Sequence, residues 1–180
     1  WTSGQRNESS AGNRRINLND SDLGQLHRQL LRSWPIEWAN FVVALRQYGP
    51  TTSPPSTSAI TAAELPLDLA RPSTFQLSSL LDVVDAQVVT GDSASQKQTV
   101  RSPFSSDLAT ASNYLARLLD EACLDDQPFT GPAIDIHSAP LEVLAAIPGM
   151  GADLAQSIVQ RRTSLDAVRK ATIAWLFTDQ

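Results

Sequence analysis

The sequence predicts a mainly α fold, built of paired helices with a few short β-strands. Three observations predict it. Residues 134–162 hold two amphipathic segments joined by a Pro-Gly-Met-Gly turn. Residues 108–122 place Leu108, Ala111, Leu115, Leu118 and Ala122 at steps of three and four, which is helical periodicity. Residues 15–49 repeat the pattern of the first stretch with a looser turn.

In chain order, residues 1–14 are rich in Ser, Gly, Asn, Gln and Arg with Trp1 as the single large apolar group, and they read as a flexible lead-in. At Ile16 and Leu18 apolar residues alternate with Asn17 and Asn19, a short strand-like opening. Asp20 is placed to cap a helix carrying Leu23, Leu26 and Leu30. A break at Ser33-Trp34-Pro35 leads into a second helix with Trp38, Phe41, Val42 and Leu45 inward, ended by Gly49-Pro50. Residues 50–63 are rich in Pro, Ser and Thr and read as a linker or long surface loop. Within the irregular remainder of 50–102, Leu65, Leu67 and Leu69 alternate like a strand, although Pro66 argues for an edge or loop. Ser73-Thr74 caps a short helix through Leu77, Leu80, Leu81 and Val84, Ala86–Val89 has strand character, and Gly91–Ser102 reads as a mobile loop. Residues 103–180 form the second helical domain. Ser105 or Ser106 caps its first helix, and Leu165, Val168, Thr172 and Trp175 sketch its last.

Between them lies the best-marked hairpin, residues 138–162. Ser138 can cap a helix start, and Pro140 sits in the first turn, where a missing N–H is tolerated. Leu141, Leu144 and Ile147 form one stripe. Pro148, Gly149, Met150 and Gly151 then break the helix, and Leu154, Ala155, Ile158 and Val159 face back from the second. This stretch resembles a helix-hairpin-helix motif, whose signature is an apolar–Pro–Gly–apolar–Gly turn followed by Ala-x-x-Ile and a basic residue. Residues 15–49 align with it as a degenerate helix-hairpin-helix-like unit. Ile16, Asn17, Leu18, Asn19, Asp20 and Leu23 match Ile134, Asp135, Ile136, His137, Ser138 and Leu141. Ala39, Val42, Val43 and Arg46 match Ala155, Ile158, Val159 and Arg162.

The chemistry is spare. With 180 residues, 42% of them hydrophobic and 18% charged, the chain can bury a core. No run of about 18 apolar residues is present, so nothing here reads as a membrane span. The absence of an initiator Met and the apolar pattern at Ile173–Phe177 read as ends cut from a longer protein. Cys123 is alone, which excludes an internal disulfide, and beside Ala122 and Leu124 it reads as a small buried hydrophobe. His27 and His137 lack the i, i+4 partner of a helical metal site, and Gly149-x-Gly151 lacks the third glycine of a dinucleotide fingerprint. No catalytic constellation can be assembled. Asp120, Glu121, Asp125 and Asp126 crowd the C-terminal end of a helix, where negative charge is unfavourable. They are a candidate calcium site only if the chain folds back on itself, and a solvated acidic face is the plainer reading because no glycine-centred loop accompanies them.

The Pro148–Gly151 turn raises nucleic acid as a ligand, since such turns offer N–H groups at a helix N-terminus to a phosphate. Here Ala152 and Asp153 follow, with no Lys or Arg before Arg161. Between residues 133 and 170, Arg161, Arg162, Arg169 and Lys170 balance Asp135, Glu142, Asp153 and Asp166. A net charge of −5 and a pI near 4.9 point the same way and disfavour duplex DNA.

The words Arg15–Asn19 and Ile134–Met150 resemble the Ile-Asn-Leu-Asn … Leu-Ala-Ala-Leu-Pro-Gly pattern of the minor pseudopilin K component of type II secretion systems. The resemblance covers residues 15–48 and 103–177, with 50–102 matching only in layout. His137 and Asp135 depart from the Asn residues usual there. It implies helix-hairpin-helix-like units beside a pilin-type α/β body. It also implies a parent anchored in the inner membrane by an N-terminal segment absent from this stretch, facing the periplasm at a pseudopilus tip. Its partners would be other minor pseudopilins and secretion-system proteins, and its work assembly and docking without catalysis. Members can bind calcium, which adds weight to the acidic cluster. The alternative is a DNA-binding helix-hairpin-helix module of a competence or repair protein. In that case Pro148, Gly149, Met150 and Gly151 contact phosphate rather than protein.

Overall fold

The computed structural model describes residues 2–3, 6–52, 59–91, 97–129, 133–167, 170 and 175–178. The first helical pair is α1 (Leu23–Ser33) and α2 (Ile36–Tyr48), joined by Trp34-Pro35. Pro35 cannot continue a helix that precedes it but tolerates the position before a new one. The N-cap of α1 is Asp22, whose carboxylate accepts from Gln25 N–H at 2.8 Å, and not Asp20. Asp20 instead braces the cap, accepting from Asp22 N–H at 2.9 Å. α1 buries Leu23, Leu26 and Leu30. α2 is buried nearly all round, from Ala39 to Gln47, so it is the central element of the core. Gly49 ends it at φ +74°, a left-handed conformation that glycine reaches without a Cβ penalty.

The mainly α expectation is corrected here: the described residues are 45% helix and 13% strand, a mixed α/β chain. A three-stranded sheet runs β3 (Ala59–Ile60), β5 (Gln98–Arg101), β4 (Gln87–Thr90), with β3 parallel and β4 antiparallel to β5. Strand character at Ala86–Val89 is met by β4. The stretch 91–102, read as a mobile loop, supplies β5, whose Thr99 and Val100 are buried. Two to four residues are too few for a period-two signal, and the pairing that stabilises them is made elsewhere in the chain. Residues 53–58 of the Pro/Ser/Thr stretch lie outside the described residues. Leu65–Leu69 form no strand, and the capped turn is a 3₁₀ helix at Leu80–Val83, begun by Ser79 with Asp82 in a reciprocal capping box.

α3 (Leu108–Glu121) is capped by Asp107, which accepts from Thr110 N–H, rather than by Ser105 or Ser106. It packs Ala111, Tyr114, Leu115 and Leu118 into the same core as α1, α2 and the sheet. A second, smaller core holds Ala139, Leu144, Ala155, Ile158, Leu165 and Trp175. It is formed around α4 (Leu141–Ala145), α5 (Gly151–Ser164) and α6 (Trp175–Thr178). In the chain, the residues of the larger core run through α3 and those of the smaller one follow it. Of the expected final helix, Leu165 and Trp175 are buried, while Val168 and Thr172 lie outside the described residues.

The segment read as a flexible lead-in is tied down where it is described. β1 (Thr2–Ser3) pairs antiparallel with β7 (Ala133–Ile134), and Arg6 bridges to Phe129. Asn7 is buried, donating its amide to the carbonyls of Asp125 and Gln127. β2 (Ile16–Asn17) runs parallel to β6 (Ala122–Cys123). Polar segments of this kind are held by backbone hydrogen bonds, which leave no apolar pattern to read.

Candidate functional site

The two sequence words that align do equivalent work. Asn17 Oδ1 accepts from Asn19 N–H at 2.9 Å, and Asp135 Oδ1 accepts from His137 N–H at 3.0 Å, so each unit opens on the same side-chain turn. At the far end of each second helix an arginine reaches back across the hairpin. Arg46 Nη1 donates to the carbonyls of Leu18 and Asp20, and Arg162 Nη1 to those of Ile136 and Ala139 at 2.9 and 2.7 Å. The aligned pairs Arg46/Arg162 and Leu18/Ile136 thus form one recurring staple, closing the second helix onto the segment that leads into the first.

The units differ at the fourth aligned position. Asn19 ties its hairpin to two other segments, donating to the carbonyls of Leu77 and Leu124 and accepting from Leu77 N–H at 2.9 Å. His137 instead lies against Trp175, ring centroids 6.0 Å apart, and its Nδ1 is buried with no hydrogen-bond partner among the described residues. His27 is structural, sharing a 2.8 Å hydrogen bond with Asn40, whose amide donates to Ala62 O.

At the hairpin turn, Gly149 has φ +84° and Gly151 φ +68°. A Cβ at either would meet open space, so the backbone conformation and not crowding demands glycine. Pro148, Gly149 and Gly151 are exposed and Met150 half-buried. The N-terminus of α5 has no side-chain cap, and Asp153 lies in its first turn, with Arg161 and Arg162 in its last. α4 is a single short turn of helix without a side-chain cap. Ser138, expected as the cap, hydrogen-bonds Asp135 at 2.6 Å instead. Two residues placed on the inner stripe face outward: Leu154 is 51% exposed and Leu141 37%. A short α4 covers less of α5 than a full-length helix would, and Leu154 is left without a partner face.

Asp135 is the anchor of this opening turn. The Ser138 hydroxyl and then the His137 N–H hold its carboxyl below the usual carboxylate range. A lowered native value contributes stability above the unfolded value and loses it as pH falls through the native one. Asp135→Asn is therefore expected to lower the melting temperature at neutral pH. The gap to the parent should close as pH drops below about 3.9, the unperturbed value, and through the lowered native one. Melts across that range check it, and a gap that persists at the acid end would remove Asp135 as the anchor.

The four acidic residues are not brought together. Asp120 accepts from Ser10 N–H and Oγ, both at 2.8 Å, and Glu121 from Trp34 Nε1 at 2.7 Å and Arg117 Nε at 3.0 Å. Asp125 closes its own turn through Gln127 N–H, and Asp126 takes Asn17 Nδ2 at 3.0 Å with Arg14 3.5 Å away. Among the described residues no three such groups converge on a metal position. The unfavourable charge at the end of α3 is offset by Ser10, Arg14 and Asn17 near the start of the chain and by Trp34 and Arg117. Cys123 is half-buried; burial, against Asn7 and the Asp125 backbone, pushes its thiol up, as expected of an inert thiol.

Sequence reasoning passed over the polar face of α1, where Gln25, Gln29 and Arg32 stand at i, i+4 and i+7 opposite Arg14 and Arg15. The i, i+4, i+7 spacing was the available signal. No protein-family model matches the chain, and neither a curated protein nor a solved structure matches it.

Proposed function

We propose that the chain is a non-enzymatic docking component of a type II secretion pseudopilus, of the minor pseudopilin K kind, working on the periplasmic face of the inner membrane. The observation that carries this reading is the doubled unit of strand, side-chain turn, helix pair and stapling arginine. The two words on which the family resemblance rests begin these two units and play the same part in both. The mixed α/β body beside a smaller helical hairpin supports it as well. In the hairpin, Leu141 and Leu154 offer exposed apolar surface to a protein partner. Asp153 beside the turn repels a phosphate.

The uncapped N-terminus of α5 behind two exposed glycines favours the second reading, a phosphate contact on duplex DNA. One set of measurements separates the two. The chain should co-purify with the other minor pseudopilins of a type II system. Leu141→Asp with Leu154→Asp should abolish capture while leaving the melting temperature within a few degrees, since neither side chain is buried. Duplex DNA should give no shift at physiological salt. Salt-sensitive duplex binding that is lost on Gly151→Pro would instead establish the DNA reading.

A further inference from the structure

Residues 13–17 run beside the polar face of α1, leaving a cleft of about 510 Å³ between them, a size within the range of about 300–1,000 Å³ typical of ligand sites. Its lining is selective. Arg14 and Arg15 stand on one side and Arg32 on the other, with Gln25 and Gln29 on the helix wall. Ile16 is its one apolar side chain, and no aromatic ring lines it. A nucleobase or sugar ring has nothing to stack on, and an acyl chain nothing to bury against.

The charges favour a carboxylate. Three guanidinium groups face Asp20 and Asp126, so the cleft carries a formal charge of +1 in a chain whose net charge is −5. Asp126 is already engaged by Asn17 and Arg14, and Asp20 by Gln25 Nε2 at 3.0 Å. Arg15 uses its Nε on Asp120 O at 2.9 Å, keeping its terminal nitrogens for a ligand, and Arg32 has no acceptor among the described residues. The C-terminal end of α1 would repel an anion through its carbonyls, but Arg117 donates to Ser33 O there. A surplus of one positive charge suits a monoanion better than a doubly charged phosphate. The amides of Gln25 and Gln29 supply the carbonyl and N–H groups that pair with an extended peptide backbone.

We infer that this cleft binds an acidic segment of a partner polypeptide, with Arg15 and Arg32 holding one carboxylate and Gln25 and Gln29 its flanking backbone. The site is separate from the hairpin of residues 138–162, and the proposal stands whether or not the secretion reading does. The test titrates the ¹⁵N-labelled protein with the blocked pentapeptide Gly-Ala-Glu-Ala-Gly, then with its Glu→Gln and Glu→phosphoserine versions. Saturable shifts at the Arg15 and Arg32 side chains and the Gln25 and Gln29 amides are expected with the Glu peptide, weakening as salt rises. The Gln peptide should bind about tenfold more weakly, the loss of one charge-assisted contact. Arg32→Glu should abolish the shifts while lowering the melting temperature by no more than a few degrees, because Arg32 is exposed and makes no hydrogen bond or ion pair among the described residues. Arg28→Glu, exposed on the same helix outside the cleft, should leave them intact. Equal shifts with Glu and Gln peptides, equal losses in the two arginine variants, tighter binding of the phosphoserine peptide, or no shifts at all would each overturn the inference.

Discussion

Arg46→Ala is expected to cost about 3–5 kcal/mol of stability, because a buried carbonyl and two half-buried ones lose their donor together. Arg46 is 1% exposed. Its Nε donates to Phe75 O at 2.6 Å, and its Nη1 reaches Leu18 O and Asp20 O. Its own carbonyl accepts from the N–H groups of Thr74 and Phe75, so residues 74–75 are tied to α2 through both the main chain and the side chain of one residue. Burial pulls its pKa down and the charge of Asp20 pushes back, yet a guanidinium remains charged throughout the working range. Among the described residues no carboxylate pairs directly with the guanidinium, which carbonyl dipoles and the nearby charge of Asp20 satisfy. Arg46→Met keeps the aliphatic stem and tests the head group. It should lose nearly as much as Arg46→Ala. Arg46→Lys should recover part of the loss, since three donors on one nitrogen cannot span the positions a planar fork reaches. Urea unfolding followed by tryptophan fluorescence measures all three, and a loss below about 1 kcal/mol for Arg46→Ala would mean the staple is decorative.

The equivalent change in the second unit is a built-in control. Arg162 makes the same kind of contact, to Ile136 O and Ala139 O, but is only half-buried, and water can replace it at those carbonyls. Arg162→Ala should therefore cost about 1 kcal/mol, the ordinary worth of a partly solvated hydrogen bond.

The Arg46/Arg162 equivalence was legible in the sequence because alignment of apolar positions on the two second helices carries the basic residue with it. The periodicities of α1, α2, α3 and α5 were legible for the same reason, being long enough to repeat. Three things were not. Strands of two to four residues, such as Gln98–Arg101, have no room for a pattern and depend on remote partners. The outward turn of Leu141 and Leu154 depends on how short α4 is, which no apolar stripe announces. The fate of Asp120 and Asp126 depends on a polar segment more than 100 residues earlier, joined through a few hydrogen bonds, and that of Glu121 on Trp34. The same limit applies to the candidate sites. The glycine turn could be read from Gly149 and Gly151, whereas the cleft needed Arg14 and Arg15 brought against α1 by the fold.

Phe104→Ala is expected to be the most damaging single truncation in the larger core, at about 3–5 kcal/mol. The ring is fully buried and stands among four other aromatic side chains. Trp38 and Tyr114 lie 5.1 Å away, Trp34 6.3 Å and Phe41 6.4 Å, most of them edge to face. These partners come from α2, α3 and the turn before α2, so one residue after β5 joins the sheet to both long helices. Its backbone is fixed as well, with Phe104 O accepting from Asp85 N–H at 2.8 Å and Phe104 N–H donating to Ser102 Oγ at 3.0 Å. With the main chain pinned, the surrounding rings cannot collapse into the space, and the cost should fall at the upper end of the range. Phe104→Leu should cost about half as much, restoring volume but no ring edge. Tyr114→Phe separates packing from hydrogen bonding. The ring stays, and only the 3.0 Å bond to Ser105 O is lost, for about 1 kcal/mol. Because Trp34 and Trp38 border Phe104, its removal should also change their near-ultraviolet dichroism. Trp175 belongs to the second core and should be silent. An altered Trp175 signal, read in a variant carrying no other tryptophan, would mean that the two cores unfold as one.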